Sequence, residues 1–215
     1  MKDEDRSIDE EKLKIMDVLK GLFGSSDSLD ELKLIRNYKP IPLKQKGDIE
    51  YEVKYQSSQI EGEGHRILNV VTNKHNERVI VYRLNYGDDR DDININLRIR
   101  IITNKCVKLP DPNIYLHVFQ EDQHIQIADI RIEGAHVNRG YGSIAMNEIL
   151  KLARQLEIKF IDGWISRVDW DHIDRSAHFY RKFGFDVELK EGSGKILWLN
   201  EELGATREEF ESFAN

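Results

Sequence analysis

The chain has 215 residues, 40% of them hydrophobic, which is enough for one large globular domain or for a domain with an appended element. Its 32 Lys and Arg residues against 39 Asp and Glu residues give a net charge of 32 − 39 = −7, which argues against nucleic acid or an anionic membrane as a partner. A lone cysteine, Cys106, excludes an intrachain disulfide, and no apolar run is long enough for a signal peptide or a membrane span, so we predict a cytoplasmic protein.

Two helices are predicted at the N-terminus, because each of two segments opens with a Ser-x-x-Glu capping box. The boxes lie at residues 7–10 and 28–31, and the second helix should end before Pro40. We interpret residues 1–48 as a helical hairpin extension and residues 49–215 as the main domain.

Antiparallel strands are predicted from about residue 50, where β-branched and alternating residues replace the helical pattern. The segment at 92–103 is the clearest, since apolar and polar side chains alternate as in a sheet with one wet face. Loops rich in Gly, Ser, Asp and Asn separate these segments, which suggests a β-meander extension. The predicted strands of the meander are residues 50–55, 66–72, 78–84 and 92–103.

The second half of the chain alternates between the two patterns. Strands at 113–120 and 124–133 are followed by a helix, a strand, a helix and two short strands up to residue 200. A last capping box at 206–209 opens a short acidic helix. The predicted fold class is therefore α/β (α+β), with a mixed, mostly antiparallel central sheet flanked by helices.

A glycine-spaced turn, His-Val-Asn-Arg-Gly-Tyr-Gly-Ser at residues 136–143, joins a strand-like segment to a helix-like segment at 144–156. Gly140 and Gly142 lack a Cβ, so the backbone can turn tightly and its N–H groups can approach an anion. The first turn of the following helix adds unpaired N–H donors and the positive end of the helix dipole. This combination predicts a site for a phosphate or a pyrophosphate.

A second motif, Asp-Arg-Ser-Ala-His-Phe-Tyr-Arg-Lys-Phe-Gly-Phe, lies at residues 174–185 after a predicted buried strand at 159–165. The two motifs in this order resemble the GNAT superfamily of acyl-CoA-dependent N-acyltransferases. That family joins a strand, a turn of the form Arg/Gln-x-x-Gly-x-Gly/Ala and a helix to a later Asn-x-x-Ala-x-x-Phe-Tyr-x-x-x-Gly-Phe segment. The resemblance covers residues 92–200, and both spacings match without gaps.

The resemblance implies an N-acetyltransferase with acetyl-CoA as co-substrate and an amine as acceptor. Strand edges in this fold often pair between subunits, so the resemblance makes a homodimer a possible assembly. Family members have two helices that form a wall of the acceptor site. In this chain the N-terminal helical pair and the meander either replace that wall or form a separate module that recruits a partner.

The cofactor-binding residues follow from the same resemblance. Backbone amides of the strand are expected to contact the pantetheine and the thioester, and amides of the turn are expected to hold the pyrophosphate. Val137 stands where the family has Arg or Gln, and Arg139 is a candidate to compensate as a phosphate donor. Asp174 stands in the place of the family's Asn, where we interpret it as a helix N-cap. The expected set is Ile130, Arg131, Ile132, Val137, Asn138, Arg139, Gly140, Tyr141, Gly142, Ser143 and Asp174.

Three residues are candidates for proton transfer. Tyr180 aligns with the tyrosine that family members use as general acid, and a phenol with an ordinary pKa of about 10 can protonate a departing thiolate. The alternative is that Tyr180 is a core aromatic of its helix. Asp129 and Glu133 are candidates for the base that deprotonates the amine, with Glu133 ranked first because it lies nearest the turn. Their alternation with isoleucines also fits a strand with a solvated face.

Two other classes of function are weighed. A catalytically silent member of this fold could bind acyl-CoA or hold a protein partner. A Rossmann-type dinucleotide site does not fit, because the glycine turn follows antiparallel-looking strands and does not open a βαβ unit. His172, Asp174 and His178 do not complete any metal signature, so no metal site is predicted.

Overall fold

The computed structural model describes residues 39–85, 94–132, 136–167 and 172–214. The elements given below belong to the unit Pro40–Asn215. The two predicted N-terminal helices and the candidate base Glu133 lie outside the described residues.

A single sheet of ten strands runs through the described residues. The strands are β1 (Ile41–Pro42), β2 (Arg66–Thr72), β3 (Arg78–Arg83), β4 (Asn94–Ile102), β5 (Cys106–Lys108), β6 (Asn113–Phe119), β7 (His124–Arg131), β8 (Phe160–Ile165), β9 (Asp186–Lys190) and β10 (Ser193–Leu199). Their order in the sheet is β1-β5-β4-β6-β7-β8-β10-β9, and β3 joins it by pairing with β4 while β2 pairs with β3. All described pairs of strands are antiparallel except β7 with β8. The predicted mixed, mostly antiparallel sheet is therefore confirmed.

Four α-helices within the described residues cover the two faces of this sheet. The helices α2 and α3 pack on the face that carries the larger core, whereas α1 and α4 lie against the opposite face. None of the helices in the described ranges is long and apolar enough to cross a membrane. The helices are α1 (Ile49–Gly62), α2 (Tyr141–Gln155), α3 (Ile173–Lys182) and α4 (Arg207–Ala214), and a 3₁₀ turn spans Glu201–Leu203.

The larger core forms because inward-facing residues of β3, β4, β6, β7 and β8 meet the apolar stripe of α2. Ala145, Ile149 and Ala153 recur every four residues along that helix and are fully buried. The smaller core joins α1 to the opposite face through Val53 and Ile60. Each face of the central strands is thus packed against a helix, which fixes the frame on which the site is built.

The strand predicted at residues 50–55 is wrong, because this segment belongs to the helix α1. Its N-cap is Asp48, whose carboxylate accepts a hydrogen bond from the amide of Tyr51 at 2.8 Å. The buried residues of the helix include Val53, Gln56 and Ile60, which follow a helical spacing over 14 residues. The first residues of the helix alternate between apolar and polar side chains over a short distance, which is the pattern of a strand.

The other predicted strands of the meander are confirmed as β2, β3 and β4. They form consecutive antiparallel pairs and continue into β6, so the meander is part of the central sheet and not a separate module. The helix predicted at residues 144–156 begins earlier, at Tyr141, directly after Gly140. Gly142 and Ser143 therefore lie in its first turn.

Candidate active site

A cleft opens in the sheet where its two parallel strands separate. β7 and β8 are paired only from His124 with Phe160 to Ile127 with Gly163. Beyond that point β7 continues along β6, while β8 continues along β10. The separation leaves edge groups of β7 facing a gap instead of a neighbouring strand, which is an opening that an extended ligand can enter.

A bulge lies on β7 at the mouth of this gap. Leu116 of β6 faces Ile127, but the next residue, Tyr115, faces Asp129, so Ala128 is an extra residue without a partner on β6. Such a bulge bends the strand and leaves backbone groups outside the hydrogen-bonding ladder. The bulge therefore aims the backbone of β7 at the cleft at the point where β8 departs.

The glycine turn delivers the N-terminus of α2 to the same cleft. Gly140 is the N-cap of α2 and has φ 86°, a left-handed conformation that a residue with a side chain rarely adopts. Its carbonyl accepts from the amide of Ile144 at 3.1 Å, and no side chain caps this helix end. The first amides of α2 are thus available to an anion.

Gly142 has a different role, because α3 approaches the chain closely at this position. A Cβ at this position would lie 3.3 Å from Cε2 of Phe179 and 3.5 Å from Cδ1 of Ile132. The absence of a side chain thus lets α3 pack directly against the first turn of α2. The two sequence motifs meet at this contact.

The resulting cavity has a volume of about 370 Å³. One wall is formed by β7 and the glycine turn, and the other by the end of β8 and the start of α3. The lining residues are Ile127, Ala128, Asp129, Ile130, Ile132, His136, Val137, Asn138, Gly140, Tyr141, Gly142, Ser143, Trp164, Ile165, Ser166, Arg175, Ser176, Phe179 and Tyr180.

Most of the predicted cofactor-binding residues line this cavity, whereas Arg131, Arg139 and Asp174 are not among the lining residues. Arg139, proposed as a phosphate donor, instead extends its guanidinium to Glu77, with Nη2 at 2.6 Å from Oε1. Asp174 is not the N-cap of its helix, so that prediction is wrong. His172 occupies the cap position, and Asp174 lies exposed in the first turn, where its charge favours the helix dipole.

Glu77 is the centre of a buried polar cluster behind the glycine turn. Its carboxylate accepts hydrogen bonds from Asn73 at 2.7 Å, Lys108 at 2.8 Å, Arg139 at 2.6 Å and the hydroxyl of Tyr141. Burial alone would raise its pKa, but the donors, of which Lys108 contributes most, outweigh burial and lower the pKa from 4.5 to about 2. Glu77 is therefore ionised throughout the neutral range.

His136 sits beside this cluster, with its ring centroid 5.8 Å from that of Tyr141. Burial lowers its pKa below the ordinary value, and the nearby charges of Lys108 and Arg139 lower it further. The imidazole is consequently neutral at pH 7. A neutral ring that lines the cavity can contact a ligand without contributing charge.

Tyr180 lies half-buried in the cavity wall. Its ring makes edge contacts with Phe179 at 5.2 Å and Phe185 at 5.6 Å between centroids. This position is compatible with both expectations for Tyr180, because its ring packs against neighbouring aromatic side chains and also borders the cleft. Its role as general acid stays a prediction.

The positively charged side chains near the cavity belong to α3 and not to the glycine turn. Arg175 lines the cavity, and the ammonium of Lys182 lies 3.4 Å from the hydroxyl of Ser143 in the first turn of α2. These positions lie near the helix end at which an anion would bind. They provide the positive charge that Val137 does not.

Asp129 lies at the bulge with its side chain 39% exposed. Its Oδ2 accepts a hydrogen bond from Nε of Arg131 at 2.5 Å, and the guanidinium of Arg131 lies 5.7 Å from the ring centre of Tyr115. The carboxylate is thus at the rim of the cleft and already has one cationic neighbour. Among the described residues, no group of three or more His, Cys, Asp or Glu side chains could hold a metal ion.

Sequence reasoning missed several residues of the cavity. Trp164 and Ser166 follow the last parallel pair of β8, and a parallel strand that loses its partner carries no local signal in the sequence. Ala128 is identified by a register shift, which also depends on the partner strand. Arg175 and Ser176 lie inside the second motif, so their position five and four residues before Tyr180 was the available signal.

Residues 106–185 match the profile of the Acetyltransferase (GNAT) family, which spans β5 to α3 and includes the cleft. An uncharacterised protein of Bacillus subtilis (strain 168), YocC, is 30% identical over 137 residues, which cover 63% of this chain and 77% of YocC.

Two solved structures are also similar. The GNAT domain of PAT from S. lividans is 9% identical, with a TM-score of 0.48 over 61% of this chain and 96% of that one. The spermidine N-acetyltransferase of Vibrio cholerae, solved with CoA and spermine, is 15% identical, with a TM-score of 0.42 over 53% of this chain and 69% of that one.

The strand pair that separates beside a glycine turn, together with the family match across the same residues, defines an acyltransferase. The chain belongs to the GNAT family of acetyltransferases.

Proposed function

We propose that the protein transfers the acetyl group of acetyl-CoA to a primary amine by direct attack in a ternary complex. The observation that carries this proposal is the meeting of three features at one cavity: the separated strands β7 and β8, the free amides at Gly140, and Tyr180. The amides bind the pyrophosphate, and the edge of β7 binds the pantetheine.

The chemistry requires three groups. A carboxylate at the rim, Asp129, takes a proton from the incoming ammonium, whose nitrogen then forms a bond to the thioester carbonyl carbon. A backbone amide of β7 near the bulge at Ala128 donates to the oxyanion of the tetrahedral intermediate. As the C–S bond breaks, Tyr180 gives its phenolic proton to the thiolate. The proton that the acylated nitrogen loses returns to the tyrosinate through solvent, Asp129 releases its proton to water, and the products are an N-acetyl amine and free CoA.

Calorimetric titration with acetyl-CoA, CoA and ATP tests the first half of this proposal. We expect both CoA compounds to bind and ATP to bind much more weakly, since the cleft suits an extended pantetheine arm. Wild-type protein that does not bind CoA compounds would refute the assignment of the cavity.

Detection of free thiol with a panel of primary amines tests the second half. Tyr180→Phe should slow turnover by about 10²-fold while leaving the affinity for acetyl-CoA unchanged, because general acid catalysis typically contributes 10²–10⁴-fold. Tyr51→Phe, at a 40% exposed position on α1, is the matched control and should have wild-type rates. An unchanged rate in Tyr180→Phe would assign this tyrosine to packing alone. If no amine in the panel leads to thiol release, the protein would be assigned as a catalytically silent binding module.

The cytoplasmic location, the homodimer and the domain boundary after residue 48 remain predictions. Light scattering after gel filtration tests the homodimer, and it would show twice the chain mass of 25.2 kDa.

A further inference from the structure

One buried carboxylate outside the cavity binds both flanks of the glycine turn. Glu77, just before β3, is 4% exposed. Its Oε1 accepts from Nη2 of Arg139 at 2.6 Å, and its Oε2 accepts from the hydroxyl of Tyr141. Arg139 and Tyr141 are the residues on either side of Gly140. A single side chain from a loop more than 60 residues earlier in the chain therefore closes a bridge across the N-cap of α2.

The position of Glu77 is itself fixed by the loop between β2 and β3. Oδ1 of Asn73 accepts the backbone amide of Glu77 at 3.0 Å, and Nδ2 of Asn73 donates to Oε2 of Glu77 at 2.7 Å. The same Nδ2 lies 3.3 Å from the carbonyl oxygen of Arg139. Lys108 adds a charge-assisted hydrogen bond at 2.8 Å. The carboxylate is thus held by β5 and by the loop before β3, and it holds the turn in its place.

We propose that Glu77 is a positioning residue for acyl-CoA binding, which acts through Arg139 and Tyr141 to keep Gly140 in the conformation that presents the amides of α2. This inference rests on the proposed function of the cavity. It assigns Arg139, which was a candidate to compensate for Val137 as a phosphate donor, to the support of the turn.

The turn needs such support because Gly140 has no side chain of its own that could pack and hold its conformation. Apart from its chain neighbours, no atom lies within 4 Å of the place where a Cβ of Gly140 would stand, so no contact there fixes its φ of 86°. Glycine has the largest conformational freedom of any residue, and ordering it when a ligand binds would subtract from the affinity. A turn that is already ordered by Glu77 avoids that cost.

The cluster also has a net positive charge beside the turn. Lys108 and Arg139 contribute two positive charges and Glu77 one negative charge, so the three together carry a net charge of +1 behind the amides. Burial of this arrangement is tolerated because every charge in it has a partner. Removing the charge of Glu77 would raise this net charge to +2, so a loss of affinity in such a variant reflects the lost support of the turn and not a loss of positive charge.

The decisive variant is Glu77→Gln, which keeps the side-chain size and removes the charge. We expect its calorimetric affinity for CoA to fall about tenfold, as expected for the loss of a charge-assisted hydrogen bond. The Michaelis constant for the amine should not change. If Arg139 were instead a phosphate ligand restrained by Glu77, the substitution would release it and the affinity would stay equal or rise, which would overturn the proposal.

Hydrogen exchange of the protein without ligand provides a second measurement. Amides of residues 136–143 should exchange faster in Glu77→Gln than in the wild type. Glu50→Gln is the matched control, since Glu50 forms an exposed ion pair with Arg78 at 2.7 Å that does not reach the turn. Equal exchange in all three proteins would refute the role of Glu77 in ordering the turn, whether or not CoA binds. A wild-type protein that fails to bind CoA would refute only the proposed function.

Tyr141→Phe keeps the proposal testable if Glu77→Gln does not fold. This change deletes one hydroxyl and retains the buried ring, so the fold should persist. We expect about threefold weaker CoA binding and faster exchange in the turn. Wild-type values for both would contradict the bridge across Gly140.

Discussion

Protonation of Glu77 should destabilise the fold in acid, in a pH range that follows from its environment. Its pKa is about 2 in the folded protein and 4.5 without those contacts. Because folding lowers this pKa, the associated stability is complete above pH 4.5 and is lost as the pH falls toward 2. The difference of 2.5 units corresponds to about 3 kcal/mol in total, of which about 2 kcal/mol is lost by pH 3.

Urea unfolding followed by tryptophan fluorescence measures this effect between pH 7 and pH 3. All carboxylates titrate in that range, so the informative quantity is the difference in unfolding free energy between the wild type and Glu77→Gln. That difference should shrink by about 2 kcal/mol on going from pH 7 to pH 3, because Gln does not titrate.

Glu50→Gln serves as the control, since its exposed ion pair with Arg78 should contribute less than about 1 kcal/mol at any pH. A difference between the wild type and Glu77→Gln that stays constant with pH would refute the reasoning. It would mean that Glu77 has a similar pKa in the folded and unfolded chains, and that the four hydrogen bonds do not stabilise its charge.

Three further changes have defined outcomes. Gly140→Asp should abolish CoA binding in calorimetry, because it strains a φ of 86° and sets a carboxylate beside the pyrophosphate; wild-type affinity would remove the turn from the site. Lys182→Met should weaken CoA binding about threefold at low salt and less at high salt, since its ammonium lies 3.4 Å from Ser143, and a salt-independent effect would contradict an electrostatic role. Thr206→Ala should lower the unfolding free energy of α4 by about 1 kcal/mol, because its hydroxyl accepts from the amide of Glu209 at 3.2 Å; unchanged thermal unfolding would exclude that cap.

Elements with a strong local period could be predicted from the sequence. The alternation at residues 92–103 led to β4, and the glycine turn led to the N-terminus of α2, because both patterns follow from steric rules within a few residues. The segment at residues 50–55 misled the prediction since only a longer window shows the helical spacing of Val53, Gln56 and Ile60.

The candidate site was predictable only in its local parts. Both motifs lie in it, but Trp164 borders it because β8 leaves β7, and Glu77 supports it because β2 and β3 join the same sheet. Such relations depend on pairing between distant strands, and a side chain such as that of Glu77 carries no sign of its partner in the surrounding sequence. The isolated acid in Asn-Glu-Arg at residues 76–78 reads as an ordinary loop residue.

The bridge from Glu77 to the glycine turn sets a lower limit on any fragment made to study this enzyme. The segment that carries the family resemblance begins at residue 92 and the family profile at residue 106, so a truncated gene designed from either boundary would discard Asn73 and Glu77. Arg139 would then keep its charge without its anion, and the hydroxyl of Tyr141 would lose its acceptor in the protein interior. A useful shortened version has to start upstream of β2.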